Sequence, residues 1–175
     1  MKIRRMWVLL LVSLFALALV VPASASTLSE IVQRGELRVA VQSGAAPYAF
    51  VGKDGKPTGC MVEFAREMAN RMGVELKVLD FDWDGLIPAL LSGKADILAA
   101  DMTPTLKRAL KITFCDPWYY VQPAAFTTND AAFQTLADMN KPEVTVGVLL
   151  GSTGETIAKK YLPEATHKSY KGGGR

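Results

Sequence analysis

Apolar and polar positions alternate along ELRVAVQ, with Leu37, Val39 and Val41 on one side and Arg38, Ala40 and Gln42 on the other. A period of two predicts a strand. The preceding LSEIVQRG has the spacing of a short amphipathic helix. SGAAP interrupts the strand, YAFVG resumes extended structure, and KDGKPTG, with Asp54-Gly55 at its tip, predicts a hairpin-like turn. CMVEFAREMANRMG then sets Val62, Phe64, Ala65, Met68, Ala69 and Met72 at helical spacing, closed by Gly73. VELKVLDF alternates again. WDGLIPALLSGK predicts a helix with Leu86, Ile87, Leu90 and Leu91 on its buried side and Gly93 at its end. ADILAA reads as a short strand of the fully buried kind.

The order β, α, β, α, β predicts an α/β fold: a parallel sheet with helices on its faces. Ligands of such sheets sit beyond the carboxyl ends of the strands. Further along, KITFCDPWYY is a strand candidate broken at Pro117, VQPAAFTT is extended, and AAFQTLADMN is a helix candidate. EVTVGVLLG predicts a strand, STGETIAKKYL a helix capped by Ser152 or Thr153, and ATHKSY a last strand. VQPAAFTT therefore separates two βα modules, the second much smaller than the first.

The first 25 residues fall outside this pattern. Lys2, Arg4 and Arg5 precede an apolar run from Met6 to Val21, and PASAS follows. This is the layout of a secretory signal peptide, residues 1–25, cut after Ala25. The run is shorter than the ~20 residues of a spanning helix, which favours removal over a retained anchor. The three basic residues account for the whole formal charge of +3, and their removal leaves 17 basic against 17 acidic residues. A neutral chain without a basic block gives no case for nucleic-acid binding. Two Cys and the single His167 are too few for a structural zinc site, and no cofactor is expected. Export permits a Cys60–Cys115 disulfide, but sequence spacing does not bring the two together.

The candidate chemistry lies in ADMTPTLKRA, directly after the third strand. Thr105 is a suitable N-cap, so Lys107 and Arg108 fall in a first helical turn, where the helix dipole disfavours cations. An external carboxylate clamped by Arg108, with the Thr103 and Thr105 hydroxyls beside it, explains that placement. Pairing of Arg108 with Asp101, or exposure to water, explains it equally well. LLGSTGE repeats the strand–turn–helix design and is either a second anion-accepting turn or an ordinary loop. Trp83, between a strand and a helix, is either an aromatic wall for a ligand or a core or lid residue.

These stretches carry a resemblance. LRVAVQSGAAPYAFVGKDGKPTG, EFAREMANRMG, WDGLIPALLSGKADILAADMTPTLKRA, ITFCDPWYY and VTVGVLLGSTGETIAKKY together resemble the periplasmic solute-binding proteins of ABC transporters, family 3, which bind polar amino acids. The resemblance implies a two-lobed fold, with lobe 1 over residues 26–121, a hinge strand over 122–128 and part of lobe 2 over 129–175. It implies that Arg108 holds a ligand α-carboxylate beside Thr103, Met102 and backbone N–H groups. Trp83 would wall the side chain, Gln42 and Ala45 would line the rim, and Ser152 with the backbone from Leu149 to Thr153 would close on the carboxylate. It also implies a periplasmic monomer that captures a small amino acid by hinge closure and delivers it to an ABC permease in the inner membrane.

The chain departs from the family pattern in places. Cys60 and Met61 replace an aromatic and an acidic residue, Cys115 stands where Ser is common, Ala45 replaces an aromatic, and Gly154 lacks a side chain that others use. Asp101 stands where Ser or Gly is usual, and either accepts a ligand ammonium or competes for Arg108. Family members continue into a further half-domain with a return hinge strand and an acidic residue for the ammonium, so the second module reads as cut short. Two other functions fit the pattern: a cyclohexadienyl or arogenate dehydratase-like enzyme on the same fold, or a fragment without function. Against the enzyme, no Ser-His or Cys-His pair is evident, and the only His, His167, falls in a frayed tail.

Overall fold

The computed structural model describes residues 28–128 and 133–172; the proposed signal peptide and the last three residues lie outside them. Helix α1 (Leu28–Arg34) leads into β1 (Glu36–Val41), then β2 (Gly44–Ala45), β3 (Ala49–Val51) and β4 (Pro57–Thr58). Helix α2 (Cys60–Met72) is followed by β5 (Glu75–Asp80), a 3-10 turn at Trp83–Gly85, α3 (Leu86–Leu91) and β6 (Ile97–Leu98). After α4 (Leu106–Ala109) come α5 (Leu136–Met139), β7 (Thr145–Leu149), α6 (Thr153–Tyr161) and β8 (Thr166–Tyr170).

β1 is the centre of a parallel sheet ordered β5-β1-β6. Its Leu37, Val39 and Val41 are buried under α1 and α2 with Ile31, Val62, Ala65 and Ala69. The opposite face, which alternation marks as the more polar one, is buried too. Ala40 packs there with Leu86, Ala95 and Ala100, and Gln42 is buried at the strand's end. A central parallel strand has helices on both faces, so alternation understates its burial. β2, β3 and β4 form the expected antiparallel hairpin region. Gly59 lets this hairpin dock on α2: its φ is +123°, and a Cβ there would lie 2.4 Å from the Tyr48 carbonyl. Pro47 and Tyr48 carbonyls accept the first N–H groups of α2, from Cys60 and Met61, which need partners at a helix start.

At the amino end of the sheet, the Asp96 side chain is fully buried and binds two arginines. It accepts from Arg34 Nη2 at 2.6 Å, from Arg38 Nη2 at 2.7 Å and from the Arg38 backbone N–H at 2.8 Å. The Asp96 carboxylate holds the Arg38 guanidinium above the usual arginine range. The carboxyl ends are tied as well: Ser43 donates its N–H to Asp80 Oδ1 at 3.0 Å and its hydroxyl to Oδ2.

β7 and β8 form a separate parallel pair, with α6 packed beside them. His167 is part of β8, paired with Val146, rather than part of a loose end. Four other expectations are corrected. KITFCDPWYY joins no strand; its apolar content is aromatic and packs sideways, Trp118 stacking on Phe64 at 5.9 Å and Tyr119 on Tyr48 at 5.7 Å. Phe64 is consequently 56% exposed instead of in the core, and Met61 takes a buried place on α2. Leu91 is exposed at the end of α3, where Ala89 is buried in its stead. The helix expected over AAFQTLADMN covers only Leu136–Met139 among the described residues. Thr135 and Asp138 form a capping box that starts it there. Cys60 and Cys115 are both exposed and unbridged.

Candidate functional site

The carboxyl ends of β1, β5 and β6 meet those of β7 and β8. Gly151, just beyond β7, is the point of contact: its carbonyl accepts from Arg108 Nη2 at 3.1 Å. Its φ of +75° suits glycine, and a Cβ there would come within 4.0 Å of Trp83 Cδ1. At the end of β8, a Cβ on Gly172 would lie 3.5 Å from Asp82 Oδ1. The two modules therefore touch at the strand ends where α/β ligands bind.

Arg108 sits at this contact and is 8% exposed. Thr105 caps α4 as expected, its hydroxyl accepting the Arg108 N–H at 3.3 Å. α4 is a single turn of four residues, too short for a strong dipole, so the side chain carries the local charge. Lys107 is exposed, and only Arg108 turns inward. Its Nη1 donates to the Thr103 carbonyl at 2.7 Å, and its Cζ lies 5.4 Å from the centre of the Trp83 ring. Burial pushes its pKa below the usual arginine value, though an arginine stays charged through the physiological range. Among the described residues no carboxylate lies within 4.0 Å of its guanidinium. A buried cation without an anion is costly, and two neutral carbonyls and an indole face compensate it only in part.

Asp101 does not compete for Arg108. Its carboxylate accepts the Tyr119 hydroxyl, and its backbone has φ +52°. Thr103 is exposed and meets Arg108 through its carbonyl rather than its hydroxyl. Met102 is half-buried against the Ala40–Leu86 cluster, and Trp83 packs against the same cluster while meeting Arg108. Gln42 directly follows β1 and is buried, while Leu149 ends β7 and accepts the Ser152 N–H at 3.1 Å. The Ser152 oxygen caps α6, accepting from the Glu155 N–H at 3.0 Å.

Tyr119, Tyr48 and Glu155 are the site neighbours that the sequence does not single out, whereas Gly151 lies in the LLGSTGE turn that it does. Glu155 was detectable, standing three residues after a Ser cap. It accepts from Lys159 Nζ at 2.8 Å, from the Gly151 N–H at 2.7 Å and from Ser169 at 3.0 Å, and these bonds hold its carboxyl down to about 2. An unfolded glutamate titrates near 4.5, so this stabilisation is complete above pH 4.5 and is lost as pH falls toward 2. Urea midpoints are expected to fall less steeply across that window in Glu155→Gln than in the parent chain. Parallel profiles would remove Glu155 from the acid response.

With the geometry in place, comparison with known proteins is informative. The profile of the bacterial extracellular solute-binding proteins, family 3, matches residues 37–168. The chain belongs to that family. It is 33% identical over 165 residues to the arginine-binding extracellular protein ArtP of Bacillus subtilis, covering 93% of this chain and 63% of that protein. It is 30% identical over 145 residues to the cyclohexadienyl dehydratase of Pseudomonas aeruginosa, covering 82% of this chain and 54% of the enzyme. Among solved structures, the ancestral amino acid-binding protein AncCDT-1, a precursor of cyclohexadienyl dehydratase, superposes with a TM-score of 0.81 at 38% identity. That match covers 84% of this chain and 66% of the other. The fold is accordingly the two-lobed fold of periplasmic amino-acid-binding proteins, present in part. The chain spans less than two thirds of the length of these curated relatives.

Proposed function

We propose that the chain captures a small polar amino acid between its two sheets and presents it to an ABC permease in the inner membrane, acting as a periplasmic monomer after loss of residues 1–25. Residues 26–121 are the principal lobe, 122–128 the crossing strand, and 129–175 the opposing lobe. The observation that carries this reading is Arg108: buried at the meeting of the strand ends, charged, and without a carboxylate partner among the described residues. A ligand carboxylate would pair bidentately with one edge of the guanidinium, displacing the weaker Gly151 carbonyl. Trp83 would cover the ligand, with Gln42, Met102 and Thr103 around it. Ser152, Leu149 and the free N–H groups at the start of α6 would approach from the other sheet.

The relatives support the ligand class, since ArtP is named for arginine and AncCDT-1 for amino acids. Chemical-shift titration of the purified chain with the common amino acids, to about 20 mM, tests it across weak and tight binding alike. Shifts centred on residues 101–108 and 149–153 are expected. No response to any amino acid would refute the reading and favour a fragment without function. The dehydratase relative supports a second reading, in which the same cleft turns over a cyclohexadienyl acid. Asp101 is then a candidate acid, but it is engaged by Tyr119. Incubation with prephenate is expected to leave it unchanged, and formation of the dehydrated, decarboxylated product would reverse the assignment.

A further inference from the structure

We propose that the groove between the β3–β4 hairpin and β5 is a strand-addition site for an extended, acidic segment of a partner protein. It shares no residue with the Arg108 site.

β5 is an outer strand of the β5-β1-β6 sheet: β1 occupies one edge, and among the described residues no strand occupies the other. The Glu75 N–H goes to the Gly35 carbonyl and the Phe81 N–H to the Val41 carbonyl, both on the β1 side. In a parallel ladder, residues that bond one neighbour alternate with residues that face away from it. The backbone groups of Leu76, Val78 and Asp80 therefore point to the free edge. Leu76 and Val78 also line a groove of about 720 Å³, whose opposite wall is the hairpin. An unpaired edge is a template for another chain, and lysines often blunt it. Lys77, the one lysine of β5, does not: it turns to Glu36 of β1, with Nζ 3.3 Å from the carboxylate.

The side chains around this edge select what pairs with it. Leu76 and Val78 are half-buried beside Met68 and Met72 of α2, which makes the floor apolar. The rim is cationic, with Lys53 and Lys56 from the hairpin and Arg66 from α2. Among the described residues no carboxylate lies within 4.0 Å of Lys53 or Lys56. Asp54, the acidic member of the lining, turns back on its own hairpin, where Oδ1 accepts the Lys56 N–H at 3.1 Å. Arg66 meets Glu63 at 3.3 Å with both side chains more than half exposed, a pair worth little. A segment that alternates small apolar and acidic residues uses the open backbone, the apolar floor and the positive rim together. A simple anion would use the rim alone.

The probe is a blocked hexapeptide of alternating valine and glutamate, six residues being the length of β5. Chemical-shift titration of the purified chain, to about 5 mM peptide, is expected to move the amides of Leu76, Val78 and Asp80 and of residues 52–58, and to leave residues 101–108 unmoved. Lys53 and Lys56 are exposed, so the double variant Lys53→Glu with Lys56→Glu keeps the fold and is expected to weaken the peptide about tenfold. Two more peptides, N-methylated at every valine or at every glutamate, block opposite edges of the added strand. One is expected to bind like the parent peptide and the other about tenfold or more weakly. Equal affinities of these two, whether kept or lost, would overturn strand addition. Three other results would overturn it as well. One is the absence of any shift up to the highest concentration. Another is self-association that protects the Leu76 and Val78 amides without peptide, which would make a second copy the occupant. The third is binding of phosphatidylglycerol vesicles through the two lysines with no response to peptide. Each of these outcomes leaves the amino-acid reading of the Arg108 site intact.

Discussion

Asp96→Ala is expected to destabilise the chain by about 3 kcal/mol, the lower end of the range for breaking a buried ion pair. The lower end applies because Arg34 and Arg38 are a third and a fifth exposed, so each can turn to water once its partner is gone. What cannot be regained is the carboxylate's bond to the Arg38 backbone N–H, which fixes the loop before β6 to the start of β1. Since small domains are held by only about 5–15 kcal/mol, the loss is a large share of the total. Urea denaturation of parent and variant at pH 7 measures it. Asp96→Asn is expected to lose less, and a shift under about 1 kcal/mol in Asp96→Ala would place the clamp among ordinary surface pairs.

Arg108→Ala is expected to have the opposite profile, with a large loss of ligand affinity and little loss of stability. A desolvated charge-assisted contact is worth about 1.5–3 kcal/mol, or roughly a tenfold to 150-fold loss of binding. Folding gains relief from a buried cation, and the carbonyls of Thr103 and Gly151 both belong to exposed residues that water can satisfy. The urea midpoint should therefore correspond to a change within about 1 kcal/mol. A loss of several kcal/mol with unaltered affinity would make Arg108 a structural residue. Stability spent at a site in this way is the usual cost of function.

Most of the first sheet was legible because its elements are governed by local pattern. The helical spacing of Val62, Ala65 and Ala69 and the alternation of Leu37, Val39 and Val41 report burial directly. What failed depended on partners distant in sequence. The aromatic side chains of KITFCDPWYY mimic a strand, but they find Tyr48 and Phe64 instead of a ladder neighbour. Asp96 and Arg38 are 58 residues apart, and nothing in the spacing of either announces the clamp. Within the site, the positions of Arg108, Thr105 and Ser152 were readable from capping chemistry. The roles of Gly151 and Tyr119 were not, because one acts through a carbonyl that every residue has, and the other through a bond set by tertiary folding.

Removing the carboxylate from the ligand tests the role of Arg108 without altering the protein. Arginine and agmatine differ only in that group. Chemical-shift titration of the parent chain with both is predicted to give binding of arginine at residues 101–108 and a loss of about tenfold or more for agmatine. Equal affinities for the two would show that the buried guanidinium serves another purpose and would contradict the account.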